Sequence, residues 1–170
     1  MSEAVGRHVV VGVEPGQAVL VLQHAAAFAR RFDARLVCAY ADESRYAVEE
    51  REDGTVVSLP IDPDLADGPP PAFDAGLRAR IAEALAGEGI PWETRYLVGS
   101  PADALADLAA RLDAAMIVVG SRESGTRGSV REFFNGSIAA RLSHRQPRPV
   151  VVVPVAPVTR DDRLPWLPGE

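Results

Sequence analysis

The 170-residue chain contains no lysine: all 18 of its basic residues are arginine. That excludes Schiff-base chemistry and any phosphate loop that depends on a lysine. A single cysteine, Cys38, cannot close an intramolecular disulfide, and the histidines at 8, 24 and 144 form no Cys/His cluster that would mark a structural metal. No apolar run approaches the ~18 residues needed to span a bilayer. The opening MSEAVGRHVV is too short and too polar before its first apolar run to act as a secretory signal. A soluble, cytoplasmic protein that engages no membrane is the expectation. Catalytic constellations are also scarce. Ser121 follows Gly120 without a Gly-x-Ser-x-Gly elbow, and no serine has a His/Asp partnership. Cys38 lies in an apolar run, which reads as a buried, inert thiol.

What is present is a globular composition, 47% apolar and 25% charged, of a length that fits one domain with a full core. The net charge of −6 disfavours nucleic acid as a partner. Its distribution is uneven. Between Gly120 and Arg148 six arginines (122, 127, 131, 141, 145, 148) stand against Glu123 and Glu132, so this segment is +4 and the remainder of the chain −10.

Residues 8–13, HVVVGV, read as a buried strand ending near Glu14-Pro15-Gly16. A helical spacing follows over 17–32, and RLVCAYA (35–41) is a second strand, completing a βαβ unit that implies a parallel sheet. Residues 42–71 differ: they lack a clear period, hold five prolines, and carry nine carboxylates against two arginines. They read as an acidic, solvated surface excursion. Regular structure resumes with a helix over 72–86, a near-edge strand over 91–98, a helix from Pro101 capped by Ser100, a strand over 115–119, a helix over 137–143 and a last strand over 149–153. The tail, 155–170, is rich in proline and reads as extended. Five strands separated by helices predict an α/β fold, one doubly wound five-stranded parallel sheet with helices on both faces and a domain over 1–154; its order is taken as 3-2-1-4-5. Ligands of such sheets sit at the carboxyl ends of the strands where the order reverses, here between the first and fourth strands.

The fourth strand empties into a loop with Gly120, Gly125, Gly128 and Gly136, followed by Ser137 at the start of a helix. Glycines expose backbone N–H groups to a phosphate, a helix N-terminus favours an anion, and Arg122, Arg127 and Arg131 can add charge-assisted bonds. The spacing Gly120-x4-Gly125 imitates a Walker A loop, but Thr126 stands where lysine is required. The bland alternative is a strand-to-helix loop whose glycines only make turns.

VVVGVEPG, GSPADALADLAARLDAAMIVVGSR, the pair Gly136-Ser137 and the closing RPVVVVP together resemble the universal stress protein family over residues 8–154. Many members of that family bind ATP through Gly-x2-Gly-x9-Gly-Ser/Thr after the fourth strand. Here Glu123 replaces the second glycine, and twelve residues (124–135) separate it from Gly136. The resemblance implies a site built from Val13, Glu14, Tyr40, Val119, Gly120, Ser121, Arg122, Gly125, Gly128, Gly136, Ser137 and Ile138. Glu14 stands for the family's aspartate after the first strand, and Tyr40 lies where the adenine wall falls, either stacking on the base or filling core. ATP is the implied ligand, with Mg²⁺ held by Glu14 or Glu123 as an option. A homodimer through strand 149–153 is also implied. Two other readings stand beside this one: a protein-interaction module of the same fold that binds no nucleotide, and a slow nucleotide hydrolase.

Overall fold

The computed structural model describes residues 7–16, 19–50, 56–65, 71–121 and 138–155. Five strands form the parallel sheet: β1 (His8–Gly12), β2 (Arg35–Asp42), β5 (Trp92–Val98), β6 (Met116–Gly120) and β7 (Val150–Val153). Two more, β3 (Arg45–Glu50) and β4 (Val56–Pro60), pair antiparallel as a separate hairpin. The sheet order is β5-β2-β1-β6-β7, which is the expected 3-2-1-4-5 pattern once the hairpin is set aside. Helices α1 (Val19–Arg31), α2 (Ala75–Ala84), α3 (Pro101–Arg111) and α4 (Ile138–Arg145) cover its two faces.

The central strands are apolar on both sides because both sides are covered. Val9, Val10 and Val11 of β1 are all fully buried, and the strand period of two sends them alternately to two cores. Val9, Val11, Leu36, Cys38 and Val118 pack under α1 and α2. Val10, Val37, Ala39, Ile117 and Val119 pack under α3 and α4. In α1 the buried residues Val21, Leu22, Ala25, Ala26 and Ala29 fall on one stripe, while Arg30 and Arg31 occupy the last turn, where the helix dipole favours a cation. Asp74 caps α2, its carboxylate accepting from the Leu77 N–H at 2.6 Å. Ser100 stands at the N-cap of α3 with Pro101 in the first turn, but its side chain makes no capping bond.

The acidic segment, expected as a solvated surface excursion without a clear period, carries a β-hairpin. Tyr46 faces Leu59 and Ala47 faces Ser58 across the β3–β4 hairpin, with a register shift between Ala47 and Glu49. That bulge breaks the alternation along β3, and the density of carboxylates hides what is left of it. The hairpin is tied to the main sheet at its base. Asp42 accepts from the Ser44 N–H (2.9 Å), the Ser44 hydroxyl (2.6 Å) and the Tyr96 hydroxyl (2.6 Å). The Gly99 N–H donates to the Asp42 carbonyl at 2.9 Å, and the Arg45 guanidinium donates to both the hydroxyl and the carbonyl of Ser58.

Candidate functional site

The strand order reverses between β1 and β6, which pair in register from Val9↔Met116 to Val11↔Val118. Both strands therefore end together, β1 running out into Val13 and Glu14 and β6 into Gly120 and Ser121. The Val13 N–H donates to the Ala39 carbonyl at 2.9 Å, which carries the β1–β2 pairing one step past the strand. Beyond that bond Glu14 is exposed, its carboxylate standing at the carboxyl edge of the sheet. On the β6 side the Ser121 N–H donates to the Val153 carbonyl (2.8 Å), and the Ser121 hydroxyl oxygen accepts from the Val155 N–H (2.9 Å). One lone pair of that hydroxyl thus anchors the chain leaving β7, and its proton is left to point elsewhere.

Val119 and Ile138 lie on the α3–α4 face, where Ala39 is their counterpart at the end of β2. Gly12 belongs to this side as well. A Cβ there would come within 3.1 Å of Leu105 Cδ1 and 3.6 Å of Val119 Cγ1, so a larger residue requires Leu105 to give by a few tenths of an ångström. Tyr40 lies on the opposite face, half-buried against the α1–α2 core, with its ring 6.1 Å from that of Tyr96 and tilted by 46°. The sheet therefore separates Tyr40 from Val119 and Ile138. Of the two roles open to this residue, it has the core-packing contacts. Burial, and then the carboxylates of Asp42, Glu14, Glu43 and Asp74, raise the Tyr40 phenol above its ordinary pKa. That set of neighbours identifies the carboxyl end of β2 on the α1–α2 side as an acidic corner. Arg122, Gly125, Gly128, Gly136 and Ser137 lie outside the described residues, as does Glu123.

A cavity of about 510 Å³ opens next to Glu14 between α1 and α2, with Leu22, Leu77 and Ile81 on its wall and Arg80 and Glu83 at its rim. The sequence offers no motif for this cavity, because its lining joins Val13, Glu14 and Gly16 after β1 to residues of α1 and α2 that are distant in the chain. Among the described residues no three His, Cys, Asp or Glu side chains are grouped to hold a metal ion. The other titratable candidates have structural surroundings. His8 Nδ1–H donates to the Leu112 carbonyl at 3.1 Å, tying the start of β1 to the end of α3. His24 and His144 are exposed on their helices. Burial pushes the Cys38 thiol up to about 12, so it stays protonated and unreactive at neutral pH. No helix of the described residues is long and apolar enough to cross a membrane.

The sequence profile of the universal stress protein family matches residues 6–154. No match was found among curated proteins. Among solved structures, a universal stress protein in complex with cAMP is 23% identical, with a TM-score of 0.60, covering 89% of this chain and 98% of its own. The universal stress protein from Archaeoglobus fulgidus in complex with dAMP is 22% identical, with a TM-score of 0.54 and coverage of 87% and 98%. A universal stress protein family member from Arabidopsis thaliana with AMP bound is 16% identical, with a TM-score of 0.51 and coverage of 88% and 92%. At these identities the structural likeness speaks for the fold, and the profile match over nearly the whole domain speaks for descent. The chain belongs to the universal stress protein family.

Proposed function

We propose that this protein binds an adenine nucleotide, ATP foremost, in the crevice at the carboxyl ends of β1 and β6, and acts as a nucleotide-responsive module in stress response or signalling. The observation that carries this reading is the shared end of those two strands. Val13 and Glu14 follow β1, and Gly120 and Ser121 end β6, at the reversal of strand order where sheets of this kind take ligands, with Val119 and Ile138 on the α3–α4 side. Three structural relatives described with cAMP, dAMP and AMP support the choice of an adenine nucleotide. In this reading the amides of the glycine loop (Arg122, Gly125, Gly128, Gly136) and the Ser137 hydroxyl hold the phosphates at the helix N-terminus. Glu14 accepts from the ribose, and the base lies toward the end of β2.

Mg²⁺ would enter with the triphosphate. A single exposed carboxylate, Glu14, suits a cation that keeps most of its waters and takes the rest of its ligands from phosphate. We read the protein as a binding module and not as a turnover enzyme, in line with three relatives described in complex with nucleotides. The protein acts in the cytoplasm as a homodimer joined along β7. That strand ends the sheet and carries Val152 exposed at 45%, an apolar edge of the kind that proteins cover.

Equilibrium dialysis of the purified full chain against labelled ATP, AMP and cAMP tests the reading. Saturable retention of at least one nucleotide, reduced by Ser137→Ala, is expected. No retention of any of the three at ~1 mM, the weak end of specific small-ligand binding, would overturn it and leave the protein-interaction reading in its place.

A further inference from the structure

Among the described residues, the β3–β4 hairpin shows an apolar face that neither the sheet nor a helix covers. Of the eight large hydrophobic side chains exposed among the described residues, four fall between Arg45 and Ile61: Tyr46 (49%), Val48 (55%), Leu59 (45%) and Ile61 (64%). Tyr46 and Leu59 are cross-strand partners, and Ile61 follows Leu59 on the same side. The alternate positions, Ser58 and Pro60, are buried. The strand period thus turns Ser58 and Pro60 toward the protein and Tyr46, Leu59 and Ile61 to an apolar outer face, while Ala47, opposite Ser58, is exposed beside the bulge.

Two further observations say what fits this face. The hairpin is held at its base by the Asp42–Ser44–Tyr96 bonds, the Arg45–Ser58 bonds and the Ile61 N–H donating to the Ser44 carbonyl at 2.8 Å. It is presented in a fixed geometry, so a partner would not have to bear the cost of ordering it. The rim is acidic. Glu43, Glu49, Asp62 and Asp64 are all exposed around the apolar residues, and residues 42–71 carry nine carboxylates against two arginines. One of those two, Arg45, is already committed to Ser58.

We propose that the outer face of the β3–β4 hairpin is a docking surface for a basic segment of another protein, with apolar anchors that cover Tyr46, Leu59 and Ile61 and flanking arginines or lysines that meet the acidic rim. A second copy of the hairpin would bring like-charged rims together across a two-fold axis, which disfavours self-pairing through this face. An anionic ligand would meet the same repulsion, so the surface is separate from the nucleotide crevice and the two readings stand or fall independently.

The test uses the full chain and fluorescently labelled synthetic peptides of about twenty residues, long enough to hold a helix, each with one leucine stripe flanked by arginine, glutamine or glutamate. Fluorescence anisotropy should show the arginine peptide binding about tenfold more tightly than the glutamine peptide, with the glutamate peptide weakest. The advantage should shrink as salt is raised from about 50 to about 500 mM, and in Glu43→Gln/Glu49→Gln. Ile61→Ser should weaken the arginine peptide by about tenfold. That residue lies beyond the last paired position of β4, so the hairpin ladder is kept; Tyr46→Ser/Leu59→Ser is the second variant and should lose more. No binding of the arginine peptide at low salt overturns the proposal, as does binding unchanged in both apolar variants. Self-association of the wild-type chain that is lost in Ile61→Ser would also overturn it, by assigning the face to a second copy.

Discussion

Asp42 shows how one side chain joins two parts of this molecule. It is the last residue of β2, and its carboxylate collects bonds from Ser44, which starts the hairpin, and from Tyr96 on the neighbouring edge strand. Partial burial works to raise its pKa, but the Ser44 and Tyr96 hydrogen bonds outweigh that and hold the carboxyl below its ordinary value. The same bond, together with burial, raises the Tyr96 phenol. A carboxyl whose folded pKa is depressed adds stability above its unfolded value, ~3.9, and that stability is lost as pH falls through the lower folded value. Asp42→Asn should therefore be less stable than wild type at neutral pH, by about 1 kcal/mol for the weakened charged hydrogen bonds. The difference should narrow as pH falls below ~3.9. Urea unfolding at several pH values checks this; a deficit independent of pH would mean that Asp42 acts through packing alone.

The sheet and its helices form an element set that does not need the hairpin. The two cores are assembled from β1, β2, β6, β7 and the four described helices, and none of the described hairpin residues belongs to either core. Replacing residues 45–60 with a short glycine-serine connection should therefore leave the five-stranded sheet folded, with a cooperative thermal transition shifted by only a few degrees, about 1 kcal/mol. Circular dichroism with a thermal melt reads this directly. Loss of cooperativity would show that the hairpin is part of the fold's nucleus.

The same division explains what was legible in the sequence. Strands such as VVV at 9–11 and IVV at 117–119 are continuous apolar runs because they are buried on both faces, and the helices between them carry one apolar stripe each, so the parallel sheet covered on both faces follows from pattern, whereas the strand order is a tertiary property that no local period carries. The hairpin did not follow. Its outer face is apolar, its bulge interrupts the period at Ala47/Glu49, and its acidic setting reads as solvated loop. Tyr40 was placed near the candidate site by its position at the end of β2. Its face of the sheet became evident only from the pairing Tyr40↔Tyr96 and the α1–α2 core contacts. Ala39, one residue earlier, is what the α3–α4 side of that strand end shows.

For the whole molecule, the two edges of the sheet differ. The β5 edge lies next to the hairpin, and Arg78 from α2 reaches Trp92 and Thr94 on it, with its guanidinium 5.6 Å from the Trp92 ring and 2.6 Å from the Thr94 hydroxyl. The β7 edge carries Val152 to solvent. If dimerisation runs along β7, Val152→Asp places like charges close to one another across the two-fold axis and should convert the dimer to monomer in sedimentation velocity, with the fold intact by circular dichroism. A wild-type chain that sediments as a monomer at ~100 μM, a concentration at which a stable dimer persists, would refute the β7 assignment.

The central claim is that an adenine nucleotide occupies the shared end of β1 and β6. The measurement that tests it most directly is titration of the isotope-labelled full chain with ATP, followed by amide NMR shifts. The account predicts saturable shifts at Val13, Gly120, Ser121 and Ile138, with His8 and Ala114 at the opposite end of the same strands unmoved. Absence of shifts at millimolar ATP would contradict it, and so would shifts confined to Leu77, Arg80 and Ile81 of the α1–α2 cavity.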